Sequence, residues 1–100
     1  MILYNITVII DEIINEQWLN WVQQKHIPDI MSSGMFQSSR LLKMLDSPNE
    51  GITYCIQFVA ENKEKYDQYM RKFEPLLRVE HINKFNNSLV IFPSAMESIL

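Results

Sequence analysis

Three observations in the sequence predict an α+β fold. Two nine-residue runs, ILYNITVII at 2–10 and ITYCIQFVA at 52–60, are dense in β-branched and aromatic residues, as strands are. Two other stretches repeat apolar residues at four-residue spacing, the mark of an amphipathic helix. Prolines and clusters of turn residues separate these segments in the order β-α-β-β-α-β.

The first strand presents Ile2, Tyr4, Ile6, Val8 and Ile10 on one face, with Leu3, Asn5, Thr7 and Ile9 opposite. Asp11 is the expected N-cap of the helix that follows, because its carboxylate can accept from an unpaired first-turn amide. The stripe of that helix is Ile14, Trp18, Val22 and His26, with Trp21 beside it. Pro28 disfavours the α conformation at Ile27, so the helix is predicted to end near His26. Pro28 then opens a short second turn, finished by Gly34 at positive φ. At such a helix end the dipole favours a charged His26 and burial opposes it.

Residues 35–45 read as the second strand, and Ser47-Pro48-Asn49-Glu50-Gly51 as the turn of a hairpin into 52–60. Asn62 can cap the second helix, whose stripe is Tyr66, Tyr69, Met70, Phe73 and Leu77. Pro75 lies inside this pattern and should kink or split it. The spacing resumes as Leu77, His81 and Phe85, so His81 is expected to point inward. Asn86-Asn87 breaks the helix. Leu89–Phe92 is the last strand, ended by Pro93, and the tail 94–100 is expected to pack as a helical turn.

The simplest fold with this order is a ferredoxin-like sandwich, a four-stranded sheet with two helices on one face, formed by a single domain over 1–100. Strands 2–10 and 52–60 are expected at the centre, parallel to each other, with 35–45 and 88–92 at the edges. The far face of the sheet would carry Leu3, Ile9, Leu41, Cys55, Val59, Leu89 and Ile91 among Asn5, Thr7, Thr53 and Gln57. A sheet with one wet face should alternate more cleanly than that. An apolar patch of this extent predicts a homodimer, sheet to sheet about a two-fold axis.

Composition narrows the function. A net charge of −3 without clustered Lys and Arg argues against nucleic acid. An RNA-recognition domain shares the strand order, but its basic residues and glycines are missing. No run approaches the ~20 apolar residues of a membrane span, and the N-terminus carries no basic leader, so a soluble cytoplasmic protein is expected. One cysteine forms no internal disulfide. Without a phosphate-cradling glycine loop, a GxSxG elbow or metal-spaced Cys/His pairs, no cofactor and no metal are predicted.

The candidate pocket residues are His26, His81, Tyr4 and Tyr54, with Glu80 and Arg40 more peripheral. Both tyrosines belong to the strand faces that the helices cover, so hydroxyls and imidazoles can converge there. A histidine titrating near neutrality suits acid–base work, though no catalytic role attaches to any one residue. The blander reading is strong for each residue alone. A single histidine on an apolar helix face is more often a satisfied core residue, and Trp18, Trp21, Tyr66 and Tyr69 are more often core. Cys55 reads as a small hydrophobe.

YNITV at 4–8, the pattern W..W....HIPD..M.SG.F from Trp18 to Phe36, TY..Q at 53–57 and EH...F at 80–85 together resemble a family of short bacterial proteins described only as a domain of unknown function. The resemblance spans nearly the whole chain, and His26-Ile27-Pro28-Asp29 is its most specific part. One departure is Pro93 after Phe92, where the family pattern has a basic residue. The helix ending in His-x-Pro before a glycine and an edge strand also resembles the dimeric α+β barrel proteins, which include antibiotic-biosynthesis-type monooxygenases, lactone isomerases and haem-degrading enzymes. That resemblance implies a ferredoxin-like protomer, paired sheets and a pocket between helices and sheet. It implies no particular activity. Two functions follow: a homodimer binding a small organic molecule near His26, Tyr54 and His81, or a non-catalytic regulatory or interaction dimer without a pocket.

Overall fold

The computed structural model describes residues 1–100, with strands β1 (Ile2–Ile10), β2 (Ser38–Lys43), β3 (Ile52–Ala60) and β4 (Leu89–Glu97). They form one sheet in the order β2-β3-β1-β4, every neighbouring pair antiparallel. The expectation that the two central strands run parallel is therefore corrected. The helical crossover returns the chain parallel to β1, but it enters β2 at the edge. The hairpin then reverses direction, so β3 lies beside β1 antiparallel, with Ile6 opposite Ile56.

The first helical region runs on where a stop was predicted. A 3-10 turn at Glu12–Ile14 leads into α1 (Asn15–Trp21), a π-helical turn at Val22–His26 and α2 (Ile27–Met31). A proline in a regular helix would drive its ring against the carbonyl of Gln24, four residues back. The wide turn relieves this, since the Ile27 amide reaches back to the Val22 carbonyl. Pro28 thus falls in the first turn of α2, and the four-residue stripe extends through Trp18, Val22 and His26 to Ile30, all buried. Asp11 precedes the helix in extended conformation, but its carboxylate caps nothing. Its backbone carbonyl accepts from Ile14 instead.

The second helical region splits at Pro75 into α3 (Lys63–Lys72) and α4 (Glu74–Phe85). Asn62 caps α3 by accepting from the Lys65 amide at 2.9 Å. Asn86 leaves α4 at φ 52°. Strand β4 passes through Pro93 and continues to Glu97, where the sequence suggested an end and a helical turn. It does so because β4 is an edge strand, the one place in a sheet that tolerates a missing N–H.

All the helices cover one face of the sheet. Ile2, Tyr4, Ile6, Val8 and Ile10 from β1 and Tyr54, Ile56, Phe58 and Ala60 from β3 are buried beneath them with Trp18, Val22, Ile30, Tyr69 and Phe85. Register corrects three assignments on the opposite face. Leu41 pairs with Ile56, Leu89 with Ile10 and Ile91 with Val8, so all three lie on the helix side. Their places on the outer face fall to Leu42, Val90, Phe92 and Met96, each 41–52% exposed. A one-residue error in strand phase moves every side chain to the other face.

Two glycines at positive φ separate backbone strain from crowding. Gly34 (φ 77°) has open space where a Cβ would stand, whereas a Cβ on Gly51 (φ 83°) would fall inside contact distance of the Ile10 carbonyl. Gly34→Ala should cost about 1–2 kcal/mol, from the left-handed backbone alone. Gly51→Ala should cost measurably more, because the hairpin must also move off β1. Equal urea midpoints for the two variants would contradict this ranking.

Candidate functional site

The helical stripes converge on a stack of rings between α1, α4 and the sheet. The Trp18 indole lies on Tyr54, with ring centroids 4.8 Å apart, and its Nε1 donates to His81 Nε2 at 3.0 Å. That bond makes His81 Nε2 an acceptor, which places the proton of the neutral ring on Nδ1. His81 faces His26 at 4.5 Å between centroids, and Trp21 lies on His26 at 4.8 Å. Both imidazoles are almost fully buried, 2% exposed for His26 and 1% for His81.

Burial decides their charge. It pulls His26 down to about 4, with Lys25 adding to the shift, and His81 to about 3, with His26 as the second cause. The dipole effect foreseen at His26 falls away, because the helical chain runs on to Met31 and leaves no open carbonyl end there. His26 also finds no helix-end carbonyl or strand group to bond. Its Nδ1 is buried without a hydrogen-bond partner. Unpaired buried polar atoms are rare in folded proteins.

Beside the imidazoles, a narrow cleft runs between the helices and the sheet, lined by Tyr4, His26, His81, Glu74 and Arg78 together with apolar neighbours such as Leu77. Glu74 and Arg78 form an ion pair one turn apart on α4. Tyr4 is pushed up to about 12, chiefly by burial and next by the charge of Glu74, so its hydroxyl keeps its proton. The cleft's free volume is about 10 Å³, room for one water and no more. Outside it, Lys25 joins the first helical region to α4, bonding Asp29 at 2.6 Å and Glu80 at 3.3 Å. No third His, Cys, Asp or Glu joins the imidazoles to make a metal site.

Of the four candidate residues, the structure brings His26, His81 and Tyr4 to this cleft. Tyr54 stays apart from it, packed on Trp18 with its hydroxyl donating to Asn15 Oδ1 at 2.5 Å. Glu80 is tied to Lys25, and Arg40 lies on the outer face of the sheet, donating to Gln57 Oε1 at 3.3 Å. Glu74 and Arg78 were missed by sequence reasoning. Their spacing from His81 (74, 78, 81) was the available signal, since it puts two charged groups on the inward stripe of α4.

Two consequences are measurable. His81→Phe leaves the Trp18 N–H buried without an acceptor, which should lower stability by about 1–3 kcal/mol. The pH effect follows from the lowered imidazole pKa values. Unfolded histidines take up protons as pH falls below about 6.5, while the folded ones remain neutral until about 4. Stability is therefore complete above neutrality and is lost as pH falls through that window, on the order of 3 kcal/mol for one imidazole. The urea midpoint should drop between about pH 7.5 and about pH 4.5 in wild type and drop less in His26→Leu. An equal drop in both would assign the acid sensitivity to other groups.

Comparison with known proteins agrees with this fold. The chain matches a dimeric ferredoxin-like protein from an uncultured marine organism at TM-score 0.73 and 7% identity, covering 99% of this chain and 94% of that one. An antibiotic biosynthesis monooxygenase matches at TM-score 0.68 and 9% identity, each chain covered in full. A variant of MhuD with two manganese protoporphyrin IX molecules bound per active site matches at TM-score 0.70 and 12% identity, covering 100% of this chain and 96% of that one. At such identities the likeness is one of fold. No curated protein matches. The sequence itself matches a family model over residues 1–99, and the chain belongs to that family, described as a domain of unknown function, DUF4286.

Proposed function

We propose that this protein is a homodimer, paired sheet to sheet as an α+β barrel, and that each protomer takes a small organic molecule into the cleft beside His26, His81 and Tyr4. The observation that carries the binding reading is the buried His26 Nδ1, a polar atom without a partner in the wall of that cleft. A ligand group able to hydrogen-bond there would relieve a cost of about 1–3 kcal/mol. Neutral imidazoles and a protonated Tyr4 suit a ligand of mixed polar and aromatic character, with Arg78 near for a carboxylate or carbonyl. The small free volume means that α4 must shift to admit it, and the helix break before Glu74 supplies a hinge.

The dimer is supported by the outer face. Of the residues on that face only Arg40 is charged, while Leu42, Val90, Phe92 and Met96 stand half exposed. Three strands about 30 Å long and one about 20 Å long, each about 4.8 Å from the next, present a footprint of roughly 520 Å² before side-chain relief is added. That approaches the ~800 Å² per partner of a standard interface.

The second reading, a regulatory or interaction dimer with a closed interior, is favoured by the cleft volume of about 10 Å³. Titration with menadione, benzoate and haemin, read by quenching of tryptophan fluorescence and by thermal shift, separates the two. Saturable quenching by one of them, weakened at least about tenfold by His81→Phe, is the expected result; tenfold is about 1.4 kcal/mol. No saturable response to any of the three would favour the closed dimer. Light scattering should give twice the protomer mass at micromolar concentration, and Cys55→Asp should abolish the dimer by burying an unpaired carboxylate.

A further inference from the structure

The outer face of the sheet is largely apolar, and one row across it is polar in all four strands. Arg40, Gln57, Asn5 and Ser94, one from each strand, stand directly opposite one another across β2, β3, β1 and β4. Their side chains form a hydrogen-bonded chain across the sheet. Arg40 Nη2 donates to Gln57 Oε1 at 3.3 Å, Gln57 Nε2 donates to Asn5 Oδ1 at 3.3 Å, and Asn5 Nδ2 donates to Ser94 Oγ at 3.4 Å. Asn5 donates also to Thr7 Oγ1 at 2.9 Å and is buried, 7% exposed, within the single protomer. Leu3, Val59 and Met96 lie on one side of the row, and Leu42, Cys55 and Phe92 share the side of Thr7.

We propose that this row is the register key of the dimer: the row of one protomer meets the row of a second copy, and that meeting selects one alignment of the two sheets. The inference rests on the sheet-to-sheet homodimer and goes beyond it. An apolar face alone is nearly indifferent to small slides and rotations, because hydrophobic burial has no direction. The row is not indifferent. Arg40 uses one donor of its five within the protomer, and the Gln57 amide and Ser94 hydroxyl each keep a hydrogen to donate. Asn5 and Gln57 carbonyls keep a second lone pair. Rows in contact satisfy these groups across the interface. Any alignment that sets Arg40 and the amides against the apolar residues of the other sheet buries them unpaired, a penalty that excludes it. A buried polar group acting on register at little gain in affinity is the best-attested use of such groups.

The test is the amide NMR spectrum of the dimer. Wild type should give one set of resonances. Gln57→Leu cuts the row at its middle while keeping an apolar face. It should remain dimeric, with a dimer Kd within about tenfold of wild type, since the hydrogen bonds lost are offset by the desolvation avoided. Its outer-face amides should split into more than one set, reporting more than one alignment. Asn5→Leu provides a second cut in the same row should Gln57→Leu fail to fold. A dimeric variant with a single unchanged set of resonances overturns the register role and leaves the homodimer standing. A variant that becomes monomeric overturns it also, by showing that the row holds affinity. A monomeric wild type overturns the homodimer itself.

Discussion

The hydrogen bond from the Trp18 indole to His81 Nε2 ties the first helical region to the last helix across the top of the sheet. It can form only if His81 is neutral with Nε2 bare, and the same burial that brings the two rings together keeps His81 neutral. The surrounding rings depend on that state. His26 lies against His81, Trp21 lies on His26, and Tyr54 holds the other side of Trp18. A charged imidazole at either position would break the stack at its centre. Two neutral imidazoles in van der Waals reach are an unusual way to fill a core of this size, and His26 Nδ1 remains unpaired within it.

The π-helical turn at Val22–His26 is what delivers His26 to that stack. Had the helix ended at Pro28, the chain would have turned away one residue after His26, and Ile30 would not extend the buried stripe. Widening one turn admits the proline ring and lets the helical chain run on into α2. The same residue type acts differently at each of its sites. Pro75 divides α3 from α4 and places Glu74, at the start of α4, in the cleft wall, while Pro93 sits in an edge strand where the sheet runs on past it.

The sheet has two faces of different character. The inner face is closed by helices, down to a cleft the size of one water. The outer face is largely apolar with one row polar in every strand, and nothing in the protomer covers it except near Thr53, which Ser47 reaches from the hairpin at 3.0 Å. Any chemistry in the cleft and any association through the sheet therefore use opposite sides of β1. Tyr4 and Asn5, adjacent in β1, point to the two of them.

The sequence by itself determined the element order, the positive φ of Gly34, the Asn62 cap, the division at Pro75 and the burial of Trp18, His26 and His81, because each rests on local geometry or on a period that one element reveals. It determined the family as well, through motifs spread from Tyr4 to Phe85. What tertiary structure decided was pairing and phase. Strand direction at the sheet centre follows from where the crossover lands, and the face of Leu41, Leu89 and Ile91 follows from register with a partner strand. The approach of His26 to His81 joins residues 55 positions apart on separate helices. No period within either helix encodes that distance; it is set by how both pack on the same sheet.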